Sequence, residues 1–319
     1  MTDYGAIREK LAGPIYSIIT PFTANGVDAP IDYDALRKYI RFMYDGGARI
    51  FYAMAFNTRY LIMDDDEVME VNRVVCETVR EFADPNCVTI VGDPLNCSTA
   101  TSIKFAQHAK DCGADVISLI FRAYHFFDDQ VYDHYKAVAD AVDIGILVHE
   151  MPFMRGVPQL QDGKWSINLL DRLADIPNVV AMKEDAKDDE YTRQVVDKVS
   201  DRVAIVVSGN GLQQWSKVSD KCQAWLTGIG NFAPRTELDF YKWVKSGTPE
   251  DATKAQAIID NIEKPFFWLK DNYGWHLSIK SALEHLGIMS RVERMPYQVL
   301  PTDKHKVACD IMDRIKPFI

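Results

Sequence analysis

Two residues of this chain have the types and the spacing for covalent carbonyl chemistry. Lys183 ends the run Asn178-Val179-Val180-Ala181-Met182-Lys183, and His149 precedes it by 34 residues. A lysine amine that is partly desolvated loses its proton more readily, and its lone pair can then attack a carbonyl carbon. An imidazole beside it titrates near neutrality and can carry protons to and from the adduct. Each residue also has a plainer reading. Lys183 could snorkel from a strand end and pair with Glu184 or Asp185. His149 could simply bond a backbone carbonyl.

What separates these readings is the scaffold. An apolar run bounded by Pro177 and by the polar stretch from Glu184 to Asp189 fits a parallel strand covered on both faces. Strict alternation puts Val179, Ala181 and Lys183 on one face. Seven similar runs accompany it: Ile15 to Thr20, Ile50 to Met54, Cys87 to Gly92, Val116 to Phe121, Ile144 to Val148, Val203 to Val207 and Ala224 to Thr227. Helical patterns separate them, capped by residues such as Asp32, Ser98 or Thr99, and Ser166, and the last ends before Gly247. Eight strand-then-helix units predict an α/β protein, a closed (β/α)8 TIM barrel over residues 1–247. No Gly-x-Gly-x-x-Gly follows the first strand, which removes the main support for a dinucleotide-binding sheet. Residues 248–319 read as helices only: Asp251 to about Asp271, His276 to Leu286 and Thr302 to Ile315. They are expected to form a C-terminal helical extension of the same domain.

In such a barrel the loops after the strands share one mouth. His149 and Lys183 then lie on neighbouring strands, about 4.8 Å apart. The same mouth receives Asn57, Thr58 and Arg59 after the second strand, and Arg122 and Tyr124 after the fourth. Ser208 and Gly209 follow the seventh strand, and Thr227 ends the eighth. Arg59 and Arg122 are candidate clamps for a substrate carboxylate. Glu150 should face away from His149 and pair with Arg155 or a helix arginine. The Ser208-Gly209-Asn210-Gly211 turn admits close approach of backbone to a ligand, and equally serves as a strand-to-helix turn.

Composition narrows the function. A net charge of −10 and no basic run argue against a nucleic-acid binder. No apolar stretch approaches the roughly 20 residues of a membrane helix, so no membrane partner is expected. Six cysteines without a Cys-x-x-Cys pair read as reduced thiols of a cytoplasmic protein, with no metal site.

Several motifs resemble one family, in order and over nearly the whole chain. Gly13-Pro14, Ile18-Ile19-Thr20-Pro21-Phe22 and Gly26-Val27-Asp28 are similar to the opening of the dihydrodipicolinate synthase and N-acetylneuraminate lyase family. Val180-Ala181-Met182-Lys183-Glu184-Asp185 resembles its Schiff-base strand. Ser208-Gly209-Asn210, Gly228-Ile229-Gly230-Asn231-Phe232-Ala233-Pro234 and Ile279-Lys280-Ser281-Ala282-Leu283 resemble later motifs. The resemblance implies a (β/α)8 barrel, commonly a tetramer, that joins a lysine to a 2-oxo acid such as pyruvate. Aldol cleavage, condensation or dehydration follows, with no cofactor, because the imine is the electron sink. The chain departs from the pattern in three places. Ala55-Phe56-Asn57-Thr58-Arg59 replaces the carboxylate-binding Gly-Thr-Thr-Gly-Glu. His149 stands for the proton-relaying tyrosine of Tyr-Asn-x-Pro, and Ala123-Tyr124-His125 for a Tyr-Tyr stretch. Met154, with Arg155 beside it, stands where the synthases have arginine.

The expectation is therefore a Schiff-base lyase, aldolase or dehydratase, acting on pyruvate or a 2-keto-3-deoxy sugar acid as a homo-oligomer, tetramer or dimer. Lys183 is its nucleophile and His149 its acid and base. Asn57, Thr58, Arg59, Tyr124, Ser208, Gly209 and Thr227 bind substrate. The alternative is a binding or regulatory barrel of the same fold that has lost the chemistry.

Overall fold

Eight short apolar strands have no way to satisfy both edges except by closing on themselves, and they do so. The computed structural model describes residues 2–123, 127–150, 164–209 and 211–319. The strands are β1 (Gly13–Ser17), β2 (Ile50–Tyr52), β3 (Val88–Gly92), β4 (Val116–Leu119), β5 (Gly145–His149), β6 (Val179–Glu184), β7 (Ala204–Val207) and β8 (Ala224–Leu226). They form a closed parallel barrel in sequence order, sealed where Gly13 of β1 pairs with Ala224 of β8. Each strand begins or ends within a few residues of its expected position.

Side-chain alternation divides the apolar residues into two compartments. Ile15, Ile50, Tyr52, Ile90, Val116, Leu147, Ala181, Val206 and Leu226 fill the barrel. A larger cluster lies between strands and surrounding helices. A short helix, Tyr4–Lys10, was not expected. Asp3 caps it, and its Tyr4 and Ile7 pack on the inner compartment. The spacing of Tyr4, Ile7 and Leu11 was the available signal.

Alternation fails at one place in β6. Ile146 pairs with Val179, but the next residue, Leu147, pairs with Ala181, so Val180 is an extra residue. This bulge sends Val179 to the outer compartment with Met182, while Val180 and Ala181 both turn inward. The expectation that Val179 shares a face with Lys183 is corrected accordingly. Gly145 makes the bulge possible. A Cβ there would stand 2.9 Å from the Asp115 carbonyl oxygen and 3.3 Å from a Val180 methyl.

Beyond the barrel, helices Pro249–Ile258 and Lys264–Tyr273 are joined by a π-helical segment, Ile259–Glu263. The single helix expected from Asp251 to Asp271 is thus widened at its centre. The π turn aims the Glu263 carboxylate at the start of helix Gly211–Val218, where the backbone N–H of Leu212 donates at 2.6 Å. Phe266, Leu269, Ile279, Leu283 and Met312 of the tail pack into the outer compartment. The tail thereby carries Phe267, Lys270 and Trp275 to the barrel mouth. No helix of the described residues is long and apolar enough to cross a membrane.

Replacing Gly145 with alanine should therefore destabilise the fold by about 1–3 kcal/mol through overpacking at the bulge. Urea unfolding measures this, and a neutral outcome would show that Val180 does not lean on that position.

Candidate active site

The bulge sets the register that matters, because from it onward His149 pairs directly with Lys183. Both side chains turn into the barrel and are almost fully buried. Lys183 Nζ lies 2.8 Å from His149 Nε2 and 2.8 Å from Asp185 Oδ2. Asp185 is two residues beyond Lys183, so the same alternation that turns the lysine inward turns the carboxylate beside it.

Burial lowers the Lys183 pKa, and Asp185 partly restores it. Burial pushes the Asp185 carboxyl up, but the Lys183 ammonium more than compensates and holds it well below its ordinary value. Burial, then the Lys183 charge, push His149 down to about 3. His149 is therefore neutral at physiological pH. An ammonium only donates, so Nε2 accepts from Lys183, and this assigns the ring proton to Nδ1. Nδ1 faces the Tyr52 hydroxyl at 3.4 Å, and Tyr52 in turn meets Ser118 Oγ at 2.5 Å. A hydrogen-bonded line thus runs from Asp185 through Lys183, His149 and Tyr52 to Ser118.

A cavity opens over this line. Met54, Phe56 and Asn57 line it from the turn after β2, and Asp185 and Lys187 after β6. Ser208 and Gly209 line it after β7, and Thr227 and Gly228 after β8. Phe267, Lys270 and Trp275 cover it from the tail. Asn57 is held by its Nδ2 donating to Ser17 Oγ at 3.0 Å. Ser208 and Gly209 reach the cavity, and Thr227 contributes a buried hydroxyl without a hydrogen-bond partner among the described residues.

Other expected site residues stand elsewhere. Thr58 does not line the cavity. Its hydroxyl donates to the Ile18 carbonyl at 2.8 Å and its carbonyl accepts from Thr20 at 2.6 Å, which braces the turn. Arg59 is corrected as a carboxylate clamp. Its backbone is left-handed (φ 71°), its guanidinium pairs with Glu293 at 2.7 Å, and it lies 3.9 Å from the centre of the Tyr297 ring. Its partner is 234 residues away in sequence and left no local sign. Arg122 does not line this cavity either. Glu150 faces away as expected, but it accepts from the Tyr191 hydroxyl at 2.8 Å and from the Trp165 N–H. Tyr124, Arg155 and Asn210 lie outside the described residues. Among those described, no group of three or more His, Cys, Asp or Glu could hold a metal, and all six cysteines are free.

Asp185, Tyr52, Ser118, Lys187 and Lys270 are candidate functional residues that were not singled out beforehand. Alternation from Lys183, Ile50 and Val116 could have found the first three. Lys270 depends on the tail's packing.

Fold and centre together define a class: a (β/α)8 barrel with a buried lysine beside an imidazole at its carboxyl-end mouth. The chain belongs to the dihydrodipicolinate synthetase family, whose model matches residues 10–314. It is 24% identical over 306 residues to a 4-hydroxy-tetrahydrodipicolinate synthase of Psychrobacter arcticus, covering 95% of each chain. It is 26% identical over 285 residues to one from Geobacter sulfurreducens, covering 89% of this chain and 91% of that one. The solved dihydrodipicolinate synthase of Agrobacterium tumefaciens superposes with a TM-score of 0.82 at 19% identity, covering 97% of this chain and 99% of that one. That likeness is one of fold.

The protonation of His149 gives a pH prediction. Its folded pKa of about 3 lies below its unfolded value near 6.5. Its contribution to stability is therefore full above pH 6.5 and is lost as pH falls toward 3. His149→Gln should flatten that limb by up to about 1.4 kcal/mol per pH unit relative to wild type. His134 and His276, also held down by burial, act in both proteins, so the difference isolates His149. Denaturant midpoints across pH 3–7 measure it, and parallel curves would contradict the neutral assignment.

Proposed function

We propose that this protein is a Schiff-base-forming lyase of the aldolase or dehydratase type, acting on a 2-oxo acid. The observation that carries the reading is the contact of Lys183 Nζ with His149 Nε2 and Asp185 Oδ2, both at 2.8 Å. Membership of a family whose named relatives are synthases of hydroxytetrahydrodipicolinate supports it.

The steps follow from the contacts. His149 accepts a proton from the Lys183 ammonium, leaving an amine and an imidazolium. The amine adds to the C2 carbonyl to give a carbinolamine. The imidazolium returns its proton to the departing hydroxyl, water leaves, and an iminium remains. Asp185 then balances the iminium charge at the place where it already balances the ammonium. With the iminium as electron sink, neutral His149 takes the proton whose loss starts cleavage or elimination. Tyr52 and Ser118 hold the His149 ring in the orientation that keeps Nε2 on Lys183. Asn57, Ser208 and Thr227 offer neutral polar contacts to the substrate carboxylate and carbonyl. The same reading takes the protein to be a cytoplasmic homo-oligomer, tetramer or dimer, in line with its family resemblance. Light scattering measures its state in solution.

Borohydride trapping with a panel of 2-oxo acids, read by peptide mass spectrometry, tests the chemistry. A reduced adduct should map to Lys183 and vanish in Lys183→Ala. His149→Gln should lower turnover by about 10²- to 10⁴-fold, the usual size of a general acid–base contribution. Full turnover in Lys183→Ala would overturn the proposal, and stabilisation by ligand without any adduct would favour the noncovalent binding barrel.

A further inference from the structure

One feature of the cavity is not used by the imine chemistry. Of its described lining residues, three carry ammonium groups, Lys183, Lys187 and Lys270, and one carries a carboxylate, Asp185. Asp185 is committed to Lys183 at 2.8 Å. Lys187 and Lys270 therefore set the sign of the outer cavity.

Both lysines are placed there by unusual means. Lys187 has a left-handed backbone (φ 58°), an uncommon and costly conformation for a residue with a Cβ. Its stem lies across Gly209, where a Cβ would come within 2.7 Å of Lys187 Cε. Gly209 itself has φ 105°, so the turn there both needs glycine and makes room for the lysine. Lys270 arrives from helix Lys264–Tyr273. Its stem lies over the Phe267 ring, and its Nζ donates to the Gly209 carbonyl at 3.3 Å. Its ion pair with Asp271, at 3.2 Å, engages a well-exposed carboxylate and exchanges cheaply for a ligand. Two cationic chains from separate elements thus converge on one glycine. The Lys187 charge is close enough to Lys183 to be among the influences lowering that amine's pKa.

Their position relative to Lys183 specifies what they would hold. In the closed order, β2 and β6 are four strands apart, on opposite sides of the mouth. A substrate joined to Lys183 therefore has neutral Asn57 on one side and the two ammonium groups on the other. Neutral donors suffice for a carboxylate next to the iminium, whose charge is balanced locally. Cations on the far side have use for a second anion.

We propose that Lys187 and Lys270 form a subsite for a second acidic group, so that the substrate is a 2-oxo acid bearing a carboxylate or phosphate-type group at the end remote from its carbonyl. This rests on the Schiff-base reading of Lys183, and the test separates the two. Trapping efficiency is compared across 2-oxobutyrate, 2-oxoglutarate, 2-oxoadipate and 2-oxo-4-phosphonobutyrate, in wild type and in the Lys187→Gln/Lys270→Gln variant. In wild type the doubly acidic compounds should be trapped at concentrations about tenfold lower or more, from charge-assisted hydrogen bonds. The better of the carboxylate and phosphonate arms names the group. The variant should lose that preference while trapping 2-oxobutyrate as wild type does, which also shows that it folds. Equal trapping of one- and two-acid compounds by wild type would overturn the subsite and leave the imine intact. Calorimetry with glutarate against butyrate reads the subsite without any imine. A glutarate preference that disappears in the variant supports the subsite even if no adduct forms, and no preference overturns it.

Discussion

A primary amine held out of water between a neutral imidazole and a carboxylate is the constraint on which the rest of this structure turns. Taking an ammonium into a barrel is costly unless a counter-charge accompanies it. Asp185 supplies that charge at 2.8 Å, and His149 supplies an acceptor at the same distance. The arrangement keeps the lysine soluble in an otherwise apolar interior and leaves a base ready to take its proton. It also accounts for His149 being neutral, since burial and the adjacent ammonium both oppose a second positive charge.

That constellation depends on backbone devices elsewhere. The extra residue Val180 and the missing side chain of Gly145 set the register in which His149 faces Lys183. Two further buried carboxylates fix the loops around the cavity. Glu237 accepts from the N–H groups of Gly228 and Gly230 and from Trp225 Nε1, at 2.8–2.9 Å, and so shapes the turn after β8. Glu263 accepts from Leu212 and Gln213 and ties the tail to the helix after β7. Burial pushes Glu237 up to about 7 and Glu263 up to about 8, while their N–H donors pull the other way. In these loops the acids serve as anchors for backbone rather than as groups that meet substrate.

Much of this was legible in the chain itself. Strand-period apolar runs separated by capped helical patterns announce eight units, and neighbouring strands bring His149 to Lys183 whatever the loops do. What was not legible depended on contacts distant in sequence. Arg59 looked like a clamp because it follows a strand, but Glu293 and Tyr297 of the tail claim its guanidinium. Lys270 looked like one surface charge among many, yet the π turn at Ile259–Glu263 lies in the rod that delivers it to the mouth. Asp185 could have been read from its two-residue spacing to Lys183, and was passed over because a carboxylate beside a lysine first suggests a simple ion pair. Val179 shows the limit of periodicity, since one inserted residue reverses a face.

The most direct test of the account is exchange of the C3 protons of a 2-oxo acid with deuterated water, followed by proton NMR. Exchange needs the amine to form an iminium, the iminium to accept electrons and a base to move the proton. The account predicts exchange with wild type, severe loss in His149→Gln and none above background in Lys183→Ala. Undiminished exchange in Lys183→Ala would contradict it, because the carbanion would then be stabilised without this lysine.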